Sequence, residues 1–309
     1  MFYLSIAEVF AQNFEGYKMI FKDQLMNPSL SNPFYMIPII AIATFLMELY
    51  LPRKMPYNPL KRKGFALDIF YVVFIDFFLM VIGFYAFAKV AEYLFEKFMG
   101  LFGISDFEIY DVTVLPGIVQ FLIIFIVLDF MQWFGHYLLH RIDFLWNFHK
   151  IHHAQEELGF ASTRHFHWFE YMIFKPLLFL PFILLNVSLS DFLMIYFWVG
   201  LSFTFFSHTN VRVNWTWFNK IFITPETHYW HHATNIPGRY GVNFASVLTI
   251  WDHIFGFFYY PYKDKTLEPK LGVVDQKKMP TTFLGQMIQP FQVTFKKKPK
   301  KTVKNRKNK

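Results

Sequence analysis

No cysteine occurs anywhere in this 309-residue chain. That absence excludes disulfides, thiolate metal sites and cysteine nucleophiles, although it does not identify the compartment. The first 32 residues lack a basic stretch followed by a small-residue cleavage site, so no cleaved signal peptide is expected. There is no internal repeat and no sign of a second domain. No flavin, haem or iron–sulfur motif is present either, so redox chemistry here would need electrons from a separate protein. Acidic residues are missing from 296–309, where eight Lys and one Arg gather. Without this tail 21 bases face 22 acids, so the formal charge of +8 belongs to the tail and the body is nearly neutral. No nucleic-acid-binding face follows. A basic tail beside a membrane either touches anionic lipid headgroups or acts as a solvated orientation signal.

What the chain has in abundance is apolar surface. Hydrophobic residues make up 54%, aromatics 22%, phenylalanine alone 43 positions, and the mean hydropathy is +0.27. This is too apolar for an ordinary soluble domain, and the expectation is an all-α, polytopic integral membrane helical bundle. Phe2, Ile6, Val9, Phe10 and Phe14 recur at near-helical spacing, so 1–32 is expected to hold an interfacial amphipathic helix. Spanning runs are expected at 33–51, interrupted only by Glu48, at about 69–94 and at about 112–134. Each is long enough for the roughly 20 residues a crossing needs. A later run, 171–207, is broken near 186–191 and reads as a hairpin of two short helices. Lysine and arginine favour the cytoplasmic side. The loop with Arg53, Lys54, Lys61, Arg62 and Lys63 is therefore expected inside, and the acidic loop with Glu96, Asp106, Glu108 and Asp111 outside. Every histidine cluster then falls on the cytoplasmic face. Residues 33–262 form the expected transmembrane domain, and 263–309 a peripheral extension fading into the disordered basic tail.

Eight of the twelve histidines fall into three clusters: His136 and His140; His149, His152 and His153; His228, His231 and His232. Residues three and four apart share a helix face, so each cluster aims its imidazoles in one direction. A lone histidine at a membrane boundary is usually an interfacial polar residue, but a repeated His-x-x-His-His beside His-x-x-x-His points to metal. Neutral imidazole suits Fe, Cu, Ni or Zn. A structural zinc needs only four ligands, so eight suggest a dinuclear centre at the end of the bundle. Glu156, Glu157, Glu170 and Asp252 are candidates to orient ring N–H groups, each equally readable as a solvated acid.

From about Leu115 to Phe258 the chain resembles the fatty acid hydroxylase / sterol desaturase superfamily of membrane histidine-box di-iron oxygenases. The run from Phe144 through Trp146 to His149, His152 and His153 is similar to that family's second histidine box. The run from Thr224 to His232 is similar to the third, and Asn243, Leu248, Trp251, Asp252 and Gly256 to the closing pattern, which is alkylglycerol monooxygenase-like. The resemblance implies metal ligation by the eight clustered histidines and a further ligand, His208, from the helix before the third box. It also points to His167, within an Arg-x-His-Pro-x-Glu pattern anchored on Glu170. Here Trp168 replaces the proline, His165 stands where the arginine is expected, and Arg164 lies one residue early. His253 reads as structural. About 75 residues separate His153 from His228, a spacing that favours the sterol desaturase branch over acyl-CoA desaturases and alkane hydroxylases.

The resemblance implies two iron ions, O2 as co-substrate and an oxidation at a C–H bond of a lipid: a sterol, a fatty acyl chain or an alkylglycerol-like molecule. The sequence does not separate hydroxylation from desaturation, ether-bond cleavage or aldehyde removal. Electrons would come from a cytochrome b5 or ferredoxin type donor docked on the basic face. Trp133, Phe134, Phe166, Trp198 and Phe206 are expected to line the lipid's route. Two other readings compete: a non-redox zinc-binding membrane protein and a non-catalytic membrane scaffold. A bacterial inner membrane and the endoplasmic reticulum both fit, the latter through the di-basic end at Arg306 and Lys307.

Overall fold

The computed structural model describes residues 5–27, 32–55, 57–81, 84–103, 109–213, 215–238, 240–262 and 267–295. The basic tail and part of the acidic loop lie outside them. The described chain is helical, with isolated β-bridges and no strand. Its helices are α1 (Ile6–Met26), α2 (Pro33–Tyr50), α3 (Phe65–Val81), α4 (Phe84–Gly100), α5 (Gly117–Arg141) and α6 (Asp143–His153). They continue with α7 (Trp168–Leu184), α8 (Leu189–Ile195), a π-helix at Tyr196–Leu201 and α9 (Ser202–His208). After these come the short α10 (Thr216–Asn219), α11 (Pro225–His231) and α12 (Ile250–Phe255), then α13 (Phe283–Phe295).

One described helix, α5, is long and apolar enough to cross a membrane, and shorter apolar stretches lie at Tyr35–Tyr50 and Phe65–Ile75. Of the run expected as one span at 69–94, the described parts lie in α3 and α4. Asp68 at the start of α3 is bonded to His165, near the histidines, whereas the Ile109 N–H donates to Leu184 O at the far end of α7, 2.8 Å away. α4 packs along α1. The hairpin after α7 turns at Asn186, whose φ of 51° is one that asparagine tolerates better than most residues. Midway along the bundle Ile124 and Leu128 of α5 meet Leu178, Phe182, Phe192 and Ile195. A second cluster joins Met36 and Ile40 of α2 to Leu201 and Phe205.

Three buried acids tie the loops at the histidine end. Glu48 accepts from the Phe160 N–H at 2.6 Å and from the Asn210 N–H at 2.9 Å. Arg62 and Asp68 form an ion pair whose side chains are 2% and 1% exposed, and Arg53 pairs with Glu226 at 3.0 Å. The Arg53–Lys63 charge, read as an orientation signal, is thus partly structural: two of its five bases are spent on internal carboxylates. The C-terminal stretch also differs from the peripheral extension expected. Val273 and Met279 join a core with Tyr71, Ile75, Ile151 and Tyr171, and Gln276 donates to Ala154 O at 2.7 Å. Residues 267–295 therefore brace α6.

Candidate metal centre

Helix geometry explains how three short motifs build two sites. Positions i and i+4 stand about 40° apart around a helix axis, while i+3 falls about 60° to the other side. In α6, His149 and His153 accordingly face one group and His152 the other. In α11 the assignment is exchanged: His228 and His232 face the second group and His231 the first. The first group is His136, His140, His149, His153 and His231; the second is His152, His208, His228 and His232. Within each, the prospective ligand atoms all lie within 4.8 Å of one another. The structure brings together all eight clustered histidines and His208.

Local sequence sets these orientations. A single extended residue, Ile142 (φ −98°, ψ 113°), separates α5 from α6, so the two helices turn their histidines toward each other. Thr224 caps α11 by accepting from the Thr227 N–H, and Pro225 occupies the first turn, where no amide donor is needed.

Four of the nine rings have Nδ1 against a carbonyl or carboxylate oxygen. His136 Nδ1 lies 3.0 Å from Phe244 O, His231 Nδ1 2.8 Å from Val242 O, and His208 Nδ1 2.7 Å from Thr204 O. His149 Nδ1 lies 2.8 Å from Glu170 Oε2. A carbonyl or an ionised carboxylate only accepts, so these Nδ1 atoms carry the proton and each Nε2 presents a lone pair. In the first group the Nε2 atoms of all five histidines are buried without a hydrogen-bond partner. In the second, His208 Nε2 lies 3.1 Å from His152 Nε2 and 3.0 Å from His228 Nε2, which is 3.1 Å from His232 Nε2. The bare His208 nitrogen faces two others, and a cation among them relieves the crowding. Nitrogens bound to one ion at about 2.1 Å stand about 3.0 Å apart at right angles and about 3.4 Å apart in a tetrahedron. The observed spacings fit the former. The donor set therefore fits two transition metals. Burial holds His149, His152, His153, His228, His231 and His232 well below the ordinary imidazole range, which keeps them neutral as ligation requires.

The acids expected to orient imidazoles part ways. Glu170 contacts His149. Asp252 instead accepts from Trp133 Nε1 and from the Phe244 and Ala245 N–H groups, at 2.9, 2.9 and 3.0 Å, and burial pushes its carboxyl up to about 6. It serves His136 at one remove, by holding the loop whose Phe244 carbonyl does the orienting. Glu156 and Glu157 turn to Lys63, through its side chain and backbone N–H respectively. Adjacency to His153 in sequence misled here, because the chain leaves α6 toward the surface. His167 is corrected as well. Its Nε2 contacts Met287 O at 3.0 Å and its Nδ1 accepts from the Phe169 N–H at 3.1 Å, so both nitrogens are engaged away from the two groups. His253 stacks on Phe258 and reaches Lys220 O.

Asp129 was missed. It accepts from the Val247 and Leu248 N–H groups and from Trp251 Nε1, at 3.0, 3.2 and 2.9 Å. Its signal in the sequence was a lone acid inside an apolar span, a pattern that marks function or structure at close quarters.

A cavity of about 120 Å³ opens beside both groups. It touches His136 and His149 of the first and His152, His208 and His228 of the second, and extends past Leu139, Leu201 and Tyr196 to Gln132. Of the five aromatics expected along the lipid's route, only Phe166 lines it. Trp133 is buried against Phe255, and Trp198 is exposed.

With this geometry in place, the likeness to known proteins becomes specific. Residues 121–257, which contain all nine histidines, match the family model described as fatty acid hydroxylase. The superfamily resemblance carried by the histidine boxes is thereby shown for this part of the chain. The chain is 30% identical over 179 residues to ornithine lipid hydroxylase OlsE of Rhizobium tropici, covering 57% of this chain and 51% of that protein. It is 31% identical over 141 residues to alkylglycerol monooxygenase of Homo sapiens, covering 43% and 29%. It is 28% identical over 153 residues to methylsterol monooxygenase 1-3 of Arabidopsis thaliana, covering 46% and 50%. The match thus spans about half or less of each relative. No solved structure matches the chain.

Proposed function

We propose that the protein is a membrane-bound di-iron oxygenase that hydroxylates or desaturates a C–H bond of a lipid. The observation that carries this reading is the pair of buried imidazole groups with their lone pairs turned inward. It is supported by the lipid hydroxylase and monooxygenase names of the relatives. His136, His140, His149, His153 and His231 would hold one iron, and His152, His208, His228 and His232 the other. Iron bound there supplies O2 activation with electrons from outside the chain.

The chain's own part is positioning. The carbonyls of Thr204, Val242 and Phe244 and the Glu170 carboxylate keep the proton on Nδ1 and the imidazoles fixed. Asp129 and Asp252 keep the 242–248 loop seated against α5 so that those carbonyls stay in place. The cavity beside the histidines would receive a short segment of the lipid.

In this reading α2, α3, α5 and the α7–α9 hairpin are membrane-embedded, and the histidine end faces the cytoplasm of a bacterial cell or of the endoplasmic reticulum. A cytochrome b5 or ferredoxin type protein delivers electrons at that end. The test combines metal analysis of the purified protein with lipid profiling of cells that have or lack it. Two irons per chain and a lipid heavier by one oxygen, or lighter by two hydrogens, are expected. Full activity with zinc alone, or no iron and no altered lipid under reducing conditions, refutes the proposal.

A further inference from the structure

The deep end of the cavity holds a polar side chain that nothing in the fold uses. Gln132 lies one turn before His136 on α5, a rise of about 6 Å for four residues. It is 7% exposed and lines the cavity, yet its amide makes no hydrogen bond with any described residue. The hydroxyls nearby are engaged: Thr204 Oγ1 donates to Gly200 O at 2.7 Å, Ser207 Oγ to Thr204 O at 3.1 Å and Thr163 Oγ1 to Phe160 O at 2.8 Å. Ser246 is the exception, a second cavity-lining group without a hydrogen bond to a described residue. Its neighbour Val247 is pinned to Asp129, three residues before Gln132, so loop and helix face each other there.

The backbone is shaped to this amide. Gly200 sits in the π-helix, and a Cβ at that position would come within 3.3 Å of Gln132 Nε2. π-turns recur at functional sites, where they bend the wall of a binding cavity. A cavity that received only hydrocarbon would gain nothing from a buried amide, which costs free energy whenever it is left unpaired.

We propose that Gln132 is a specificity residue that hydrogen-bonds a neutral oxygen-bearing group of the substrate, a carbonyl or a hydroxyl. That group lies a few methylenes from the carbon held beside the histidines. The inference rests on the oxygenase reading for what happens to the substrate, but not for its binding. A site built to pair a polar group discriminates strongly against the analogue that lacks it.

The test is equilibrium binding of two radiolabelled probes of equal chain length, octadecanamide and octadecane, to the purified full chain in detergent. The wild-type protein is expected to bind the amide at least tenfold more tightly. Gln132→Leu is expected to remove about tenfold of the amide affinity while leaving octadecane within twofold, and Gln132→Asn to recover part of the loss. Equal affinity of the wild type for both probes overturns the proposal, as does a Gln132→Leu protein of unchanged metal content that keeps the preference. The wild-type comparison needs no variant, so misfolding of Gln132→Leu leaves the test intact. Binding is read without turnover, so failure of the oxygenase reading shows separately, in iron content and product.

Discussion

Glu170 gives the sharpest test of the metal centre, because one contact carries its contribution. Its Oε2 receives the Nδ1 proton of His149 at 2.8 Å, with both side chains almost fully buried. Glu170→Ala leaves a buried N–H without a partner and frees the ring to rotate. Removing one side of a buried, charge-assisted hydrogen bond costs about 1.5–3 kcal/mol, which is roughly a 10- to 150-fold loss of affinity at about 1.4 kcal/mol per decade. Metal-orienting partners generally fall in a similar range, about 10- to 100-fold. Glu170→Gln keeps an acceptor oxygen while removing the charge, so its loss is expected to be several-fold only. The assay is a chelator titration of the purified protein followed by metal analysis, with thermal unfolding in parallel. The half-extraction point should move in the order wild type, Gln, Ala. A Glu170→Ala protein that unfolds like wild type and yields its metal at the same chelator concentration refutes the reasoning.

Three further outcomes follow from the structure. His167→Ala should keep the full metal complement, because both ring nitrogens bond to the backbone; loss of the Met287 contact should lower stability by about 1 kcal/mol in thermal unfolding. Thr224→Ala removes the α11 cap and should cost about 1 kcal/mol, with a matching fall in metal retention since α11 and its C-cap residue carry three of the nine histidines. Acidification should destabilise the metal-free protein. Six of the buried histidines titrate well below their ordinary value of 6.5, so below that pH the unfolded chain takes up protons that the folded one refuses. The melting temperature should be flat above about pH 7 and fall steeply below about 6.5; an unchanged value at about pH 5 refutes this.

The box histidines could be read from sequence because ligand geometry and helix periodicity act on the same few residues. His-x-x-His-His places its rings by local rules, whatever the rest of the chain does. The acids were less legible. Glu156 and Glu157 looked close to His153, but Lys63, some 90 residues earlier, claims both. Glu48 stood out as interrupting an apolar run and Asp129 was passed over, and the backbone partners of both lie more than 110 residues away. Their roles depend on tertiary pairing, which no local pattern encodes.

The exchange of positions between α6 and α11 has a thermodynamic consequence. α6, and α11 with its C-cap residue, each place two histidines in one group and one in the other, so an ion held by either group would tie both together. The first ion to bind would fix the imidazoles of both elements and meet most of the conformational cost of doing so. The second finds its ligands already arrayed, which is positive coupling through shared ordering. Metal uptake should therefore be steeper than two independent equilibria allow, with the half-loaded protein a minor species throughout the titration.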